Sequence, residues 1–360
     1  MKKRITSQDV ADHAGVSRTT VSFVLNDVKG ISIRPETRNR VLNASRELGY
    51  VPNASARALA SNQANTIGLL MTRAPHYIAT DTFLPQILGG ILDTVKTYRT
   101  SLLIEWVEPG QQVETYLELA QAKHIDGMIL MVPRLDDSGL SAIEQAEIPA
   151  VIMGKIPSSK LYSVDIDNRE SAAIALRHLL ELGHRNIGCI TNASTLYSSA
   201  AQRLEGYYLA FEEAGLAPRT ELVVEADFNS QSGYDAMKKL LNRNPELTAA
   251  FVASDNVAVG AIHAIQESGR NIPDDFSIVG FDDIPMSAHL GPGLTTIHVP
   301  AREIASQSCH LLMRIMQGEA PESRSITLSA ELIVRNSTAV LRGDAYQSNV
   351  VSMLANQNNV

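Results

Sequence analysis

From Thr66 to Ala339 the chain alternates short apolar runs with longer amphipathic stretches: IGLLM then LPQILGGILDTV, LLIEWV then VETYLELAQA, GMILMV then LSAIEQA, and then AVIM. A short apolar run reads as a strand buried on both faces, and its alternation with helical patterns dictates a parallel sheet covered by helices. The rhythm restarts with AAIALRHLLELG and IGCIT and continues through YYLAFEEAG, LVVEA, YDAMKKLL, AAFVAS, VAVGAIHAIQESG, SIVGFD and TTIHV. So many units exceed one sheet and imply two α/β lobes. Sheets of this kind bind ligands at the carboxyl ends of their strands, so a cleft between two lobes is the natural place for a small molecule.

The 360 residues, 44% hydrophobic and 19% charged, are those of a globular protein of two or three compact units. No run approaches the length of a membrane span, and the basic start MKKRITSQDVADHAG has no apolar stretch behind it, so a cytoplasmic location is expected. Cys189 and Cys309 are the two cysteines, and neither they nor the nine histidines show metal-ligand spacing. No metal site and no cofactor is expected. The net charge of -8 is unevenly spread. Residues 1–63 carry ten Lys/Arg against five Asp/Glu, and the remainder 21 against 34. A basic head is therefore joined to an acidic body, and basic side chains gain affinity for phosphates by releasing condensed counterions.

Within the head, Thr6 precedes Asp9 by three residues, the spacing of a capping box, and Val10, Ala11 and Ala14 follow at helical intervals. Gly15 supplies a tight turn, and Ser17 caps a second helix whose inward stripe is Val21, Val24 and Leu25. That leaves Arg18, Thr19, Ser22, Phe23 and Asn26 facing outward. A third helix opens with Pro35 in its first turn, runs through Val41, Leu42 and Leu48 and ends at Gly49. Three short helices sharing one interior, with a polar-faced second helix and a local positive charge, read as a DNA-binding helix-turn-helix. A three-helix bundle without DNA function is the alternative.

The run ITSQDVADHAGVSRTTVSFVLN resembles the opening of the lactose repressor (LacI/GalR) family, and GYVPNASARALA resembles that family's hinge; the similarity continues to about Ala339. By that resemblance Arg18, Thr19 and Phe23 meet base edges in the major groove, while Ser17, Thr20, Ser22 and Asn26 hold phosphates. Phe23 departs from the arginine or histidine of many members, and its physical option is contact with a thymine methyl. The segment from Pro52 to Leu59 is too short to be stable alone in water. In the family it folds in the minor groove, which makes Ala56 and Leu59 DNA contacts, with Leu59 the wedge that kinks a central base step.

The body lacks G-x-G-x-x-G, Walker and G-x-S-x-G signatures, so catalysis has no support in local spacing. A solute-binding protein without regulatory role would have similar lobes and is the competing reading. The resemblance places Arg203, in AQRLEGY, and Asp282, in VGFDD, in the effector site, where a donor fork and an acceptor suit opposite polar edges of one ligand. Phe228 is a stacking platform, Phe83 aligns with an aromatic after the first strand, and Ser254 replaces an amide of some sugar-responsive members. Asp255 reads as an ordinary N-cap, and His184 in LGHRNIG as structural.

The expected organisation is a helix-turn-helix domain over 1–51, a hinge helix and linker over 52–65, a two-lobed doubly wound α/β effector and dimerisation domain over 66–339, and a polar, disordered tail over 340–360. The tail lacks a sustained heptad, so a homodimer is expected rather than a tetramer. The resemblance implies a repressor whose dimer grips a pseudo-palindromic operator and whose hinges respond to a sugar-like effector; a purine-responsive, corepressed regulator is the alternative.

Overall fold

The structure, a computed structural model, describes residues 5–26, 30–51, 63–72, 78 and 81–341. The hinge residues Ala56 and Leu59 and the tail beyond 341 lie outside the described residues. The chain divides into two compact units, one holding the head together with Leu119–Asp126 and the other the rest of the body.

The head is built as its capping residues dictate. Helix α1 (Ser7–Ala14) begins with the anticipated reciprocal cap: Asp9 N donates to Thr6 Oγ1 at 3.3 Å while Thr6 N donates to the Asp9 carboxylate at 2.7 Å. Gly15 closes it at φ 63°, a left-handed conformation that only glycine adopts without cost. Ser17 then caps α2 (Arg18–Leu25), accepting from Thr20 N. Pro35 opens α3 (Pro35–Glu47), where its missing N–H removes no helical bond. Val10, Ala11, Ala14, Val21, Val24, Val41 and Ala44 form the interior, with Leu25, Leu42 and Leu48 half-buried against it. These side chains are small, so three short helices approach closely enough to share one core.

The body contains two six-stranded sheets. The first lobe holds β1 (Thr66–Met71), α4 (Leu84–Tyr98), β2 (Ser101–Trp106), α5 (Gln112–Gln121), β3 (Gly127–Met131), α6 (Gly139–Gln145), β4 (Ala150–Met153) and β5 (Tyr162–Ile166). The second holds α7 (Asn168–Glu181), β6 (Ile187–Thr191), α8 (Ser198–Glu213), β7 (Val223–Glu225), α9 (Ser230–Arg243), β8 (Ala249–Val252), α10 (Asp255–Glu267), β9 (Ser277–Asp282) and β10 (Thr295–His298). The chain then returns to the first lobe with α11 (Ala301–Met316) and β11 (Ser325–Leu328), and β12 (Glu331–Ile333) ends in the second.

Strand order is β11-β5-β4-β3-β1-β2 in one sheet and β12-β10-β9-β8-β6-β7 in the other. The pairs β5–β11, β4–β5, β3–β4 and β1–β3 of the first sheet and β9–β10, β8–β9, β6–β8 and β6–β7 of the second run parallel, and β12 lies antiparallel to β10. The register sets Ile67 beside Gly127 and Ile187 beside Ala249. Strands β3, β4, β6, β8 and β9 are buried along their whole length, which is why they read as continuous apolar runs. Three strands fall outside those runs: β5 carries Asp165 inside it, and β11 and β12 are short and partly exposed. The backbone crosses between lobes three times, at 166–168, 298–301 and 328–331.

Candidate functional site

The two faces of interest are the outer side of α2 and the cleft between the lobes. On α2, Ser17, Arg18 and Thr19 are exposed, and Thr20, Ser22, Phe23 and Asn26 are half-buried. Several of these groups are already organised. Ser17 Oγ lies 2.9 Å from Thr20 Oγ1, Asn26 Nδ2 donates to Ser22 Oγ at 3.1 Å, and Arg18 Nε donates to Ser7 Oγ at 3.0 Å. A face pre-positioned this way offers hydroxyls and one guanidinium, the donors that fix register on phosphates and read guanine edges.

The cleft spans about 850 Å³, the open solvent at its mouth included. All five residues expected there, Phe83, Arg203, Phe228, Ser254 and Asp282, line it. They come from separate places in the chain because parallel topology gathers strand ends. Phe83 sits at the start of α4, where Asp81 accepts from the Phe83 and Leu84 amides. Phe228 follows β7, Ser254 follows β8, and Asp282 ends β9. From the first lobe come Met131, Val132, Met153, Gly154 and Asp165, all at the carboxyl ends of β3, β4 and β5.

Arg203 is 7% exposed and almost fully engaged. Its Nε donates to Asn168 Oδ1 at 2.9 Å, and its Nη1 donates to Ala253 O at 2.7 Å and Asp282 Oδ1 at 3.3 Å. The guanidinium lies 3.7 Å from the centroid of the Phe281 ring. Nη2 makes no hydrogen bond among the described residues, which leaves it for the cleft. Arg203 and Asp282 therefore do not stand at opposite edges of the cavity: they are paired on one wall, because a buried guanidinium needs an acceptor close by. Asn168 extends the network by donating from Nδ2 to Asp165 Oδ2 at 3.0 Å.

Burial dominates the electrostatics. It raises Asp282 and Asp165 each to about 6, against the opposing charge of Arg203 and, at Asp282, a hydrogen bond from Ser254. It also lowers the proton affinity of the Arg203 guanidinium, opposed by Asp282 and Asp165. Behind them Asp255, fully buried, rises to about 7 through desolvation and the nearby charge of Asp282.

Asp255 is not the expected N-cap. Ser254 occupies that position in α10, and Asp255 accepts from Ser287 Oγ, Thr296 Oγ1 and Ile284 N at 2.6, 2.6 and 3.1 Å. It thus ties α10 to the segment after β9 and to β10. A side chain on Gly280 would collide with that carboxylate, which explains a glycine inside a buried strand.

Three cleft residues that carry a Cβ adopt positive φ: Val132 at 46°, Phe228 at 57° and Asp282 at 111°. Such conformations are uncommon for residues with a Cβ, least of all β-branched ones, and cost on the order of 1–3 kcal/mol each. Phe228 is held in place on both sides, since its N donates to Asn192 O at 2.7 Å and its O accepts from Asn256 Nδ2 at 2.8 Å. Tyr197 meets its ring edge-on at 5.1 Å. Tyr197 belongs to a bridge between the lobes, in which Leu135 N donates to Leu196 O at 2.7 Å and Arg134 pairs with Tyr197.

Several lining residues escaped the sequence reading: Asp165, Asn168, Asn192, Ser199 and Asn256. Asp165 and Asn192 end or follow strands, so the strand-end rule was the available signal. His184 is structural as expected, buried between Thr248 Oγ1 and Ala339 O at 3.0 and 3.1 Å. Among the described residues no cluster of metal-ligating side chains occurs and no helix is long and apolar enough to cross a membrane.

Residues 6–53 match the model described as bacterial regulatory proteins, lacI family, and residues 176–338 match the periplasmic binding protein-like domain. The HTH-type transcriptional repressor CytR of Escherichia coli strain K12 is 35% identical, over 93% of this chain and 97% of its own. Among solved structures, the Lac repressor dimer bound to operator and the anti-inducer ONPF superposes with a TM-score of 0.81 at 30% identity, covering 94% of this chain and all of its own. The transcriptional regulator CelR in complex with cellobiose gives 0.72 at 31% identity, covering 93% and 100%. With the head matched to the family model and relatives aligned along nearly the whole of both chains, this chain belongs to the lacI family of bacterial regulatory proteins.

Proposed function

We propose that the chain is a cytoplasmic transcriptional repressor that binds a pseudo-palindromic operator as a homodimer through the outer face of α2, and that a small molecule held between the lobes controls it. The observation that carries the reading is the convergence of Phe83, Arg203, Phe228, Ser254 and Asp282 on one cleft in a chain that also carries a capped, basic helix-turn-helix. Relatives that are regulators and not enzymes support a non-catalytic role.

The lining favours an uncharged, hydroxyl-rich effector such as a sugar. Among the described residues, Asp81, Asp165 and Asp282 face the cleft against a single basic group, Arg203, which is already neutralised by Asp282. A phosphorylated ligand would meet net negative charge in a low-dielectric site. Apolar side chains such as Ile87, Met131 and Phe228 suit the carbon faces of a ring. A ligand shifts DNA affinity only by binding two lobe arrangements unequally, so the effector must contact both walls.

Two titrations test this. The full chain should bind operator-like duplex DNA with a steep salt dependence, and a truncated chain beginning at Ala64 should not. A melting-temperature panel of sugars, sugar phosphates, nucleosides and purines should single out a neutral sugar, since a ligand selective for the folded state raises apparent stability. Equal DNA binding by both chains, or stabilisation by phosphorylated sugars alone, would overturn the reading.

A further inference from the structure

Asn192 follows β6 in the wall of the cleft and is 4% exposed. Its main chain has a clear task, accepting from Phe228 N at 2.7 Å. Its side chain has none among the described residues: Oδ1 is buried with no hydrogen-bond partner there. The adjoining Thr191 behaves differently, its hydroxyl donating to Ala193 O at 2.8 Å. Native proteins leave few buried polar atoms unpaired, because each has given up water without a replacement. Thr82, on the facing lobe, also lines the cleft, with an Oγ1 equally unpartnered among the described residues. Each wall thus presents a polar atom that a molecule in the cleft would complete.

We propose that Asn192 is a further effector-contacting and specificity-determining residue, whose carboxamide oxygen accepts a hydrogen bond from a hydroxyl or amino donor of the ligand. The assignment rests on reading the cleft as the effector site. A carboxamide adds no charge to the acids already there, so it selects by hydrogen-bond direction. A ligand lacking a donor at that point leaves the oxygen unpaired and is rejected, the way a polar pocket discriminates against a deoxy analogue. Its place beside Phe228 couples this selection to the stacking surface, since the backbone of one residue holds the other.

The test uses the full-length protein and its Asn192→Ala, Asn192→Leu and Arg203→Ala variants, with D-ribose, cellobiose, cytidine, adenosine, hypoxanthine and glucose 6-phosphate as probes. Melting temperatures and calorimetric affinities are measured with and without each probe. A probe that stabilises the wild type should bind both Asn192 variants about tenfold or more weakly. Without ligand, the Asn192 variants should melt no lower than the wild type, because an unpaired amide contributes nothing to remove. Unchanged affinity in both variants, or a clearly lower ligand-free melting temperature in both, overturns the assignment. Binding that depends on Arg203 but not on Asn192 overturns it alone. If no probe stabilises the wild type, or Arg203→Ala binds unimpaired, the cleft reading fails and this assignment with it.

Discussion

Arg203 and Asp282 hold each other inside the cleft wall: Nη1 donates to Oδ1 across 3.3 Å, and the two side chains are 9% and 10% exposed. Removing one partner of such a pair leaves a desolvated charge. Arg203→Ala should therefore destabilise the chain by about 3–5 kcal/mol in urea unfolding, more than the isosteric Asp282→Asn. The double variant Arg203→Met with Asp282→Asn should recover much of the loss, because no charge at that pair is then stranded. Both single variants should lose ligand-induced stabilisation yet keep DNA binding. Additive losses in the double variant would show that the two residues do not act as a unit.

Three acids in and behind the cleft wall, the half-buried Asp165 and the buried Asp255 and Asp282, set a pH dependence of unusual sign. Asp165 and Asp282 rise to about 6 and Asp255 to about 7 from the ordinary carboxylate value of 3.8, so the folded chain binds more protons than the unfolded one between those limits. Their contribution to stability therefore falls as pH rises from near 4 to near 7, and levels off above. His178 and His184, whose burial lowers their proton affinity, act in the opposite direction. The quantity to read is the difference between wild type and Asp255→Asn. The variant should gain relative stability as pH rises from 5 to 8, and a constant offset across that range would refute the titration of Asp255.

Gly280 has its own expected outcome. A methyl group there meets Asp255 Oδ1, Leu294 and Thr296 inside a fully buried strand. Gly280→Ala should cost about 1–3 kcal/mol of stability by overpacking. Since Asp255 links α10 to β10, effector affinity should fall with it. A neutral substitution would mean that the carboxylate can swing aside without loss.

In the head, the two ends of one short stretch should separate by experiment. Ser17 caps α2 through Thr20 N, so Ser17→Ala should destabilise the head by about 1 kcal/mol and weaken binding to all DNA sequences. Exposed Arg18 should instead cost about 1–3 kcal/mol of operator affinity on truncation to Ala and relax one base position per half-site. Binding-site selection with the two variants distinguishes them; an unchanged motif from Arg18→Ala removes its base-reading role.

What could be read in advance follows from how local each interaction is. Thr6 and Asp9 lie three residues apart, so their reciprocal cap is visible in the letters themselves. The strands that are buried on both faces announce themselves by unbroken apolar runs, and β5 does not, because its carboxyl end carries Asp165 into the cleft. Arg203 and Asp282 were legible as cleft residues only through resemblance. Their pairing was not, since 79 residues separate them and nothing in spacing encodes a contact at that range. Asp255 looked like a cap because it opens a helix; its true partners, Ser287 and Thr296, come from the segment after β9 and from β10. Asn192 gave no signal beyond its place after β6, as an unpaired amide can be recognised only once its surroundings are known.

The three crossings at 166–168, 298–301 and 328–331 give the body the mechanics of a door on three hinges. A pair of lobes joined by one strand could slide, twist or separate; joined by three they keep one soft motion, rotation about the line through the connections. Work done by a ligand that bridges Phe83 on one side and Phe228 on the other is thereby funnelled into an angle. Displacement grows with distance from that line, so a small closure beside the crossings becomes a larger excursion at points of the cleft farther from it.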